Sequence, residues 1–206
     1  MSGVLLVWKY SIQNKMPPGA DLPMFLADPK ARADLNTDLE FMRNDLACRT
    51  VWGEPEVKML SDYAQRESPS ARQPVLGKTA DYSADDLAQD YIAIQALLII
   101  ENRLFHGHKI TEDAGPRCVK ILLDQITSPV PSLRLSASQS LANSTSLVLV
   151  PQVRERLLTL RADPDPYVRA NVDRQLAHFD KHVAAGLVKP LPEYLVRWTN
   201  EALKMK

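Results

Sequence analysis

Apolar residues recur at three- and four-residue steps along much of the chain, the spacing that places side chains on one face of an α-helix. The first such stretch follows Asp28-Pro29, where an N-cap precedes a proline in the first turn. It predicts a helix of about four to five turns. Its apolar face would carry Ala31, Leu35, Leu39, Met42 and Leu46.

A second, shorter helix is predicted after Glu54-Pro55, where Val57, Leu60 and Tyr63 form a stripe. It should end before Ser68-Pro69-Ser70, since proline and serine punctuate helices, and residues 67–82 then form a loop.

The most apolar helix is predicted from Leu87 to Leu104, after a capping box formed by Ser83 and Asp86. Apolar residues cover most of its circumference, so we expect it to be the central buried helix. Its isoleucines leave a strand possible, but strands usually run only about four to eight residues, and the length therefore favours a helix.

The C-terminal half contains an internal repeat at an offset of 35 residues, as from Arg134 to Arg169. In each copy an apolar helix ends in a Pro-x-Pro turn, and a second helix follows whose first turn carries an aliphatic residue and an arginine. The first copy contains Leu122-Leu123, Ser128-Pro129-Val130-Pro131, Leu133-Arg134 and Leu141, and the second contains Leu157-Leu158, Asp163-Pro164-Asp165-Pro166, Val168-Arg169 and Leu176. Each copy is thus predicted to be a helical hairpin.

Two hairpins cannot close a core alone, because each buries its apolar face only against a neighbour. The helices between residues 28 and 105 should therefore complete the core in one cooperative unit. After Pro190 and Pro192 a last apolar stripe predicts a helix that caps the stack, with Leu195, Trp198, Ala202 and Met205 on its face.

The repeat resembles the HEAT family, in which a turn aspartate, a hydrophobic-arginine pair and a later leucine mark each unit. Asp163, Val168-Arg169 and Leu176 stand at these places, whereas Ser128 replaces the aspartate in the first copy. The resemblance implies an all-α fold, a right-handed stack of antiparallel helical hairpins, or HEAT-like α-solenoid, with an N-terminal helical region. We expect a single domain over residues 1–206, in which residues 1–115 form the N-terminal helical region, residues 116–180 two HEAT-like repeats, and residues 181–206 contain a capping helix.

The composition of the chain limits the classes of partner and the compartment that we expect. The chain has 206 residues, with 25 Lys and Arg against 25 Asp and Glu, so no overall field attracts nucleic acid or an anionic membrane. Cys48 and Cys118 lie far apart, which fits a reducing compartment, and we expect a cytoplasmic protein. The apolar stretch Ala93–Ile100 is far shorter than the roughly 20 residues that span a bilayer, so no membrane association is expected.

Few residues are candidates for metal binding or catalysis. His106 and His108 near Glu112 have metal-ligand side chains, but Gly107 places both in a loop, and a solvated helix end is the better interpretation. Cys118 near the start of a helix could have a lowered pKa and act as a nucleophile, although buried structural cysteines are more common. We therefore predict no catalytic, metal or cofactor site and no enzyme.

Arg134 and Arg169 could grip carboxylates or phosphates, because a guanidinium makes planar bidentate contacts. The HEAT resemblance favours a structural role instead, in which such an arginine pairs with a turn aspartate like Asp163 and joins one repeat to the next.

The favoured function is a non-enzymatic protein-protein interaction module, an adaptor or inhibitor that binds another protein through the helical-repeat surface. We predict contacts from four residues off the buried stripes, namely Ser136, Asn171, Arg174 and His178. Nucleic-acid binding is the alternative, since four arginines make the C-terminal third basic, but acidic residues interleave with them and no stacking aromatics accompany them. These are Arg154, Arg156, Arg161 and Arg174.

Overall fold

A computed structural model of the protein describes residues 37–65, 84–105, 109–144 and 146–205. The described residues are mostly helical, so the fold is all-α, as predicted. Several predicted features lie outside the described residues: the start of the first helix at 28–36, the loop over 67–82, the Ser83 cap, and His106 and His108.

The first described segment is helical over residues 37–46, and its second half, Phe41–Leu46, is a π-helical turn. Its predicted apolar face is confirmed for three residues, since Leu39, Met42 and Leu46 are buried. The segment ends against Trp52, whose indole Nε1–H donates to the Leu46 carbonyl at 2.8 Å.

A small parallel ladder, which the sequence did not predict, joins β1 (Val51–Trp52) to β2 (Lys109–Ile110). Arg103 holds the two strands together from inside the protein. Its Nη2 donates to the carbonyls of Arg49 at 2.6 Å and of Lys109 at 3.4 Å, and its guanidinium lies 4.8 Å from the ring centre of Trp52. Because this arginine is buried, desolvation lowers its pKa.

The two predicted helices of the N-terminal half are confirmed as α1 (Glu54–Ala64) and α2 (Ala84–Phe105). Helix α1 begins with a one-sided cap, in which the Gly53 N–H donates to Glu56 Oε2 at 2.9 Å. Helix α2 packs against α1 and buries most of its second half, so the alternative of a strand is wrong there.

The two copies of the internal repeat form helix pairs of similar outline. The first consists of α3 (Ala114–Asp124) and α4 (Pro131–Gln139), and the second of α5 (Pro151–Thr159) and α6 (Pro166–Ala184). In each pair the first helix tightens into a 3₁₀ turn, Gln125–Thr127 or Leu160–Ala162, and the second begins with proline. Helix α4 packs against α2 on one side and against α6 on the other, and α1 packs against α3.

The predicted C-terminal helix is α7 (Glu193–Ala202), and Leu195, Trp198 and Ala202 are buried as expected. Met205 lies beyond the end of the helix and is 37% exposed, so its assignment to the apolar stripe is wrong. Helix α7 packs against α3 of the first hairpin and the turn Leu147–Leu149.

Close contact between α7 and α3 requires a glycine. A Cβ atom built on Gly115 would lie 2.2 Å from Cδ2 of the Trp198 ring, far inside van der Waals distance. Beside this contact, Glu112 Oε2 accepts the Trp198 Nε1–H at 2.9 Å and an Arg197 N–H at 2.5 Å. The hydrogen bond from Trp198 and, to a smaller extent, that from Arg197 hold the pKa of Glu112 below its ordinary value.

Among the described helices, none combines the length and apolar character that crossing a membrane requires.

Candidate functional site

The two Pro-x-Pro turns are closed by equivalent hydrogen bonds. Ser128 Oγ accepts the Val130 N–H at 3.2 Å, and Asp163 Oδ1 accepts the Asp165 N–H at 2.8 Å. A serine hydroxyl and an aspartate carboxylate can both bond the backbone two residues on. The exchange of aspartate for serine in the first copy therefore leaves the local turn intact.

The repeated arginines bond the same two carbonyls of their own turns. Arg134 Nη1 donates to the carbonyls of Ser128 at 2.7 Å and Pro129 at 3.1 Å. Arg169 Nη1 donates to the carbonyl of Asp163 and, at 3.1 Å, to that of Pro164. Each guanidinium is thereby fixed in its plane by the turn that precedes its helix.

Arg134 also joins the two hairpins. Its Nε and Nη2 donate to the two carboxylate oxygens of Asp163, at 2.6 Å and 2.8 Å, and both residues are buried. The prediction that Arg134 pairs with Asp163 is confirmed. Ser128 has no carboxylate, and the residue at the place of Arg134 one offset earlier is Ile99, so no such pair links this turn to α2.

Arg169 keeps the equivalent edge of its guanidinium free. Within the part of the chain that the structure describes, its Nε and Nη2 have no hydrogen-bond or ion-pair partner. The side chain is half-buried, but Nε and Nη2 remain accessible to solvent.

Two of the four predicted binding residues are inside the protein. Ser136 is 2% exposed and Asn171 is 5% exposed, so the expectation that they lie off the buried face is wrong. Ser136 is covered because α4 is packed between α2 and α6. Asn171 Nδ2 donates to the Tyr167 carbonyl at 2.8 Å, and its Oδ1 accepts from Arg174.

The other two predicted binding residues, Arg174 and His178, are exposed on α6. His178 contacts His182 edge to face, with ring centres 4.2 Å apart. The structure thus leaves Arg174 and His178 available for a partner on one helix.

Sequence reasoning missed an apolar extension of this surface. Phe179 is the last buried residue of α6, and beyond it Val183 is 44% exposed and Leu187 is 68% exposed. Val183 continues the helical stripe of Leu176 and Phe179 by one turn, which is the signal that could have revealed it. We call the five residues Arg174, His178, His182, Val183 and Leu187 the α6 surface.

The backbone fixes the apolar end of the α6 surface. Gly186 has a φ of 68°, a left-handed conformation that costs glycine little, and it ends the helix. The Leu187 N–H then donates to the His182 carbonyl at 2.9 Å. Leu187 is therefore exposed on an ordered turn directly beside the last turn of α6.

Two of the four arginines that make the C-terminal third basic are in ion pairs. Arg154 pairs with Asp180 at 2.7 Å, and Arg161 pairs with Asp173 at 2.7 Å. Such paired charges weigh against nucleic-acid binding, which depends on cations that are free to neutralise phosphates.

Cys118 is fully buried, and burial raises the pKa of its thiol to about 12 even though Arg103 acts in the opposite direction. The thiolate is therefore scarce at neutral pH, and the favoured interpretation of Cys118 as a buried structural cysteine is confirmed. No group of three or more potential metal ligands occurs among the described residues. Neither observation bears on His106 and His108, which lie outside the described residues.

Comparison of the chain with models of protein families, with curated proteins and with solved structures finds no match.

Proposed function

We propose that the protein is a non-enzymatic binding module built as a short HEAT-like α-solenoid, and that it captures another protein through the α6 surface. The observation that carries this proposal is the pair of exposed apolar side chains, Val183 and Leu187, at the C-terminal end of α6, the helix on which Arg174 and His178 are also exposed.

The solenoid architecture in this proposal is supported by the repeat itself. The same turn contacts recur at the same offset in both hairpins, and the Arg134–Asp163 pair bridges them. Helix α4 packs against both α2 and α6, as expected when each unit covers the next.

The binding role is supported by the chemistry of the α6 surface. Exposed apolar residues surrounded by polar ones mark interaction sites more often than isolated apolar residues do. Here Val183 and Leu187 can bury against apolar groups of a partner, while His182, the residue before Val183, can hydrogen-bond at the rim.

The test is affinity capture by the full chain from its native lysate, with bound proteins quantified by mass spectrometry. The double variant Val183→Asp/Leu187→Asp should reduce recovery of the specific partner about tenfold, since two desolvated charges replace apolar contacts. Circular dichroism should show unchanged helix content, because both positions are exposed.

Val51→Asp serves as the matched control, because Val51 is equally exposed at 45% but lies on β1. The control variant should retain the partner. Equal recovery by the Val183→Asp/Leu187→Asp variant and the unmodified chain, or the same loss with Val51→Asp, would contradict binding through the α6 surface.

A further inference from the structure

We propose that the free edge of Arg169 is a binding site for a carboxylate in a turn of the partner protein. The inference rests on the proposed function and names the chemistry of one contact. The partner would supply an aspartate that accepts from Nε and Nη2 of Arg169, as Asp163 accepts from the same atoms of Arg134.

The protein itself contains the template for this contact. Arg134 and Arg169 are fixed by the same bonds, Nη1 to the two carbonyls that open the preceding turn. Because a guanidinium is planar, fixing Nη1 also sets the direction of the Nε and Nη2 edge. Arg169 is thus held in advance in the pose that binds a carboxylate bidentately in the first hairpin.

No described residue of the chain fills this edge. The chain leaves α6 at Gly186, and the next helix, α7, packs against α3 rather than on the outer side of the second hairpin. The final turn of the described repeat therefore has an arginine ready for a following turn that the described chain does not provide.

The surroundings of Arg169 suit the approach of another turn. Pro164, Pro166 and Ala170 are exposed and carry no long side chain. The acidic residues four positions before and after Arg169 have partners of their own: Asp173 pairs with Arg161, and Asp165 Oδ1 accepts the N–H groups of Tyr167 and Val168. Neither carboxylate is thus bound to the edge that the partner would occupy.

The experiment uses as probe a synthetic peptide with the sequence of residues 160–166, which contains the aspartate that Arg134 binds within the protein. The peptide is titrated into the ¹⁵N-labelled full chain, and the arginine Nε–Hε signals are followed by NMR. The Arg169 signal is assigned as the one that is absent from the spectrum of the Arg169→Lys variant. We expect this signal to shift saturably as the peptide is added.

The same peptide with asparagine in place of its first aspartate should bind about tenfold more weakly, because a neutral amide loses the charge-assisted pair. Binding measured by calorimetry should weaken about as much in Arg169→Lys, while Arg43→Lys, an exposed arginine of the first helical segment and outside both proposed sites, should bind as the unmodified chain does.

No saturable shift, or equal binding of the aspartate and asparagine peptides, would overturn the carboxylate site. This result is independent of the native partner, so it is distinguishable from failure of the proposed function, which would appear as unselective capture from lysate.

Discussion

Arg134 and Arg169 occupy the same place in two turns, yet among the described residues only Arg134 has a carboxylate against its second edge. Removing one partner of a buried ion pair typically costs about 3–5 kcal/mol, because the other charge is left desolvated and unpaired. Substituting each arginine in turn therefore gives a matched comparison. The turn contacts are lost in both variants, so the difference between the two losses in free energy of unfolding measures the contribution of the Asp163 pair.

Arg134→Leu should lower the free energy of unfolding by about 3–5 kcal/mol, because it leaves the carboxylate of Asp163 buried without its cationic partner. Arg169→Leu should lower it by only about 1 kcal/mol, the scale of the lost turn hydrogen bonds. Urea denaturation followed by circular dichroism measures both. Equal losses in the two variants would mean that the Asp163 pair contributes nothing beyond the turn.

At the scale of elements, helix α7 is positioned by one close contact and one carboxylate. The Trp198 ring lies directly on Gly115, and Glu112 bonds both the Trp198 indole and Arg197. Rings of this size contribute much of the energy at a helix-helix contact, so the docking of α7 depends on the space above Gly115.

Gly115→Ala should displace α7, because the added methyl would lie among carbons of the Trp198 ring at 2.2–2.6 Å. We expect a loss of about 1–3 kcal/mol in the free energy of unfolding, the usual cost of overpacking. Limited proteolysis should then cleave the connection between α6 and α7 faster.

Gly53→Ala is the control for this substitution, since the nearest atoms to its added Cβ lie at an ordinary 3.7 Å. It should leave proteolysis of the connection unchanged. A Gly115→Ala variant as resistant as the unmodified chain would show that α7 does not depend on this contact.

Local patterns predicted the elements well because their causes are local. Proline at a first helical turn and the repeated Pro-x-Pro turns mark where α1, α4 and α6 begin. The resemblance to HEAT repeats supplied the partner of Arg134, which spacing alone would have left open.

Errors arose where a helix has more than one neighbour or where contacts are distant in sequence. A single apolar stripe on α4 suggested that Ser136 was exposed, but α2 and α6 cover two sides of that helix. The β1–β2 ladder and the Trp198–Gly115 contact join segments far apart in the chain, and helical periodicity carries no information about either.

At the scale of the whole molecule, the described helices share one buried apolar cluster that runs from Leu39 to Ala202. Contacts such as α1 with α3 and α2 with α4 connect the N-terminal region to the repeats. A continuous core of this kind should unfold as a single cooperative unit.

Trp52 and Trp198 are buried at opposite ends of the described sequence and can report on cooperativity. In variants that retain one of these tryptophans as the only one, urea unfolding followed by fluorescence should give coincident midpoints, because both regions lose their core together. Two separated transitions would instead show that the N-terminal region and the repeats are independent folding units.

The return of α7 to α3 has a consequence for synthesis on the ribosome. In a stacked array each unit can fold as soon as its predecessor has emerged, because its contacts are with neighbours. Here Gly115 and the adjoining side of α3 stay uncovered until Trp198 has been synthesised, and Trp198 is translated only after both hairpins. The nascent chain therefore exposes the apolar side of α3 until α7 has been synthesised. We expect chaperones to bind the nascent chain at this surface.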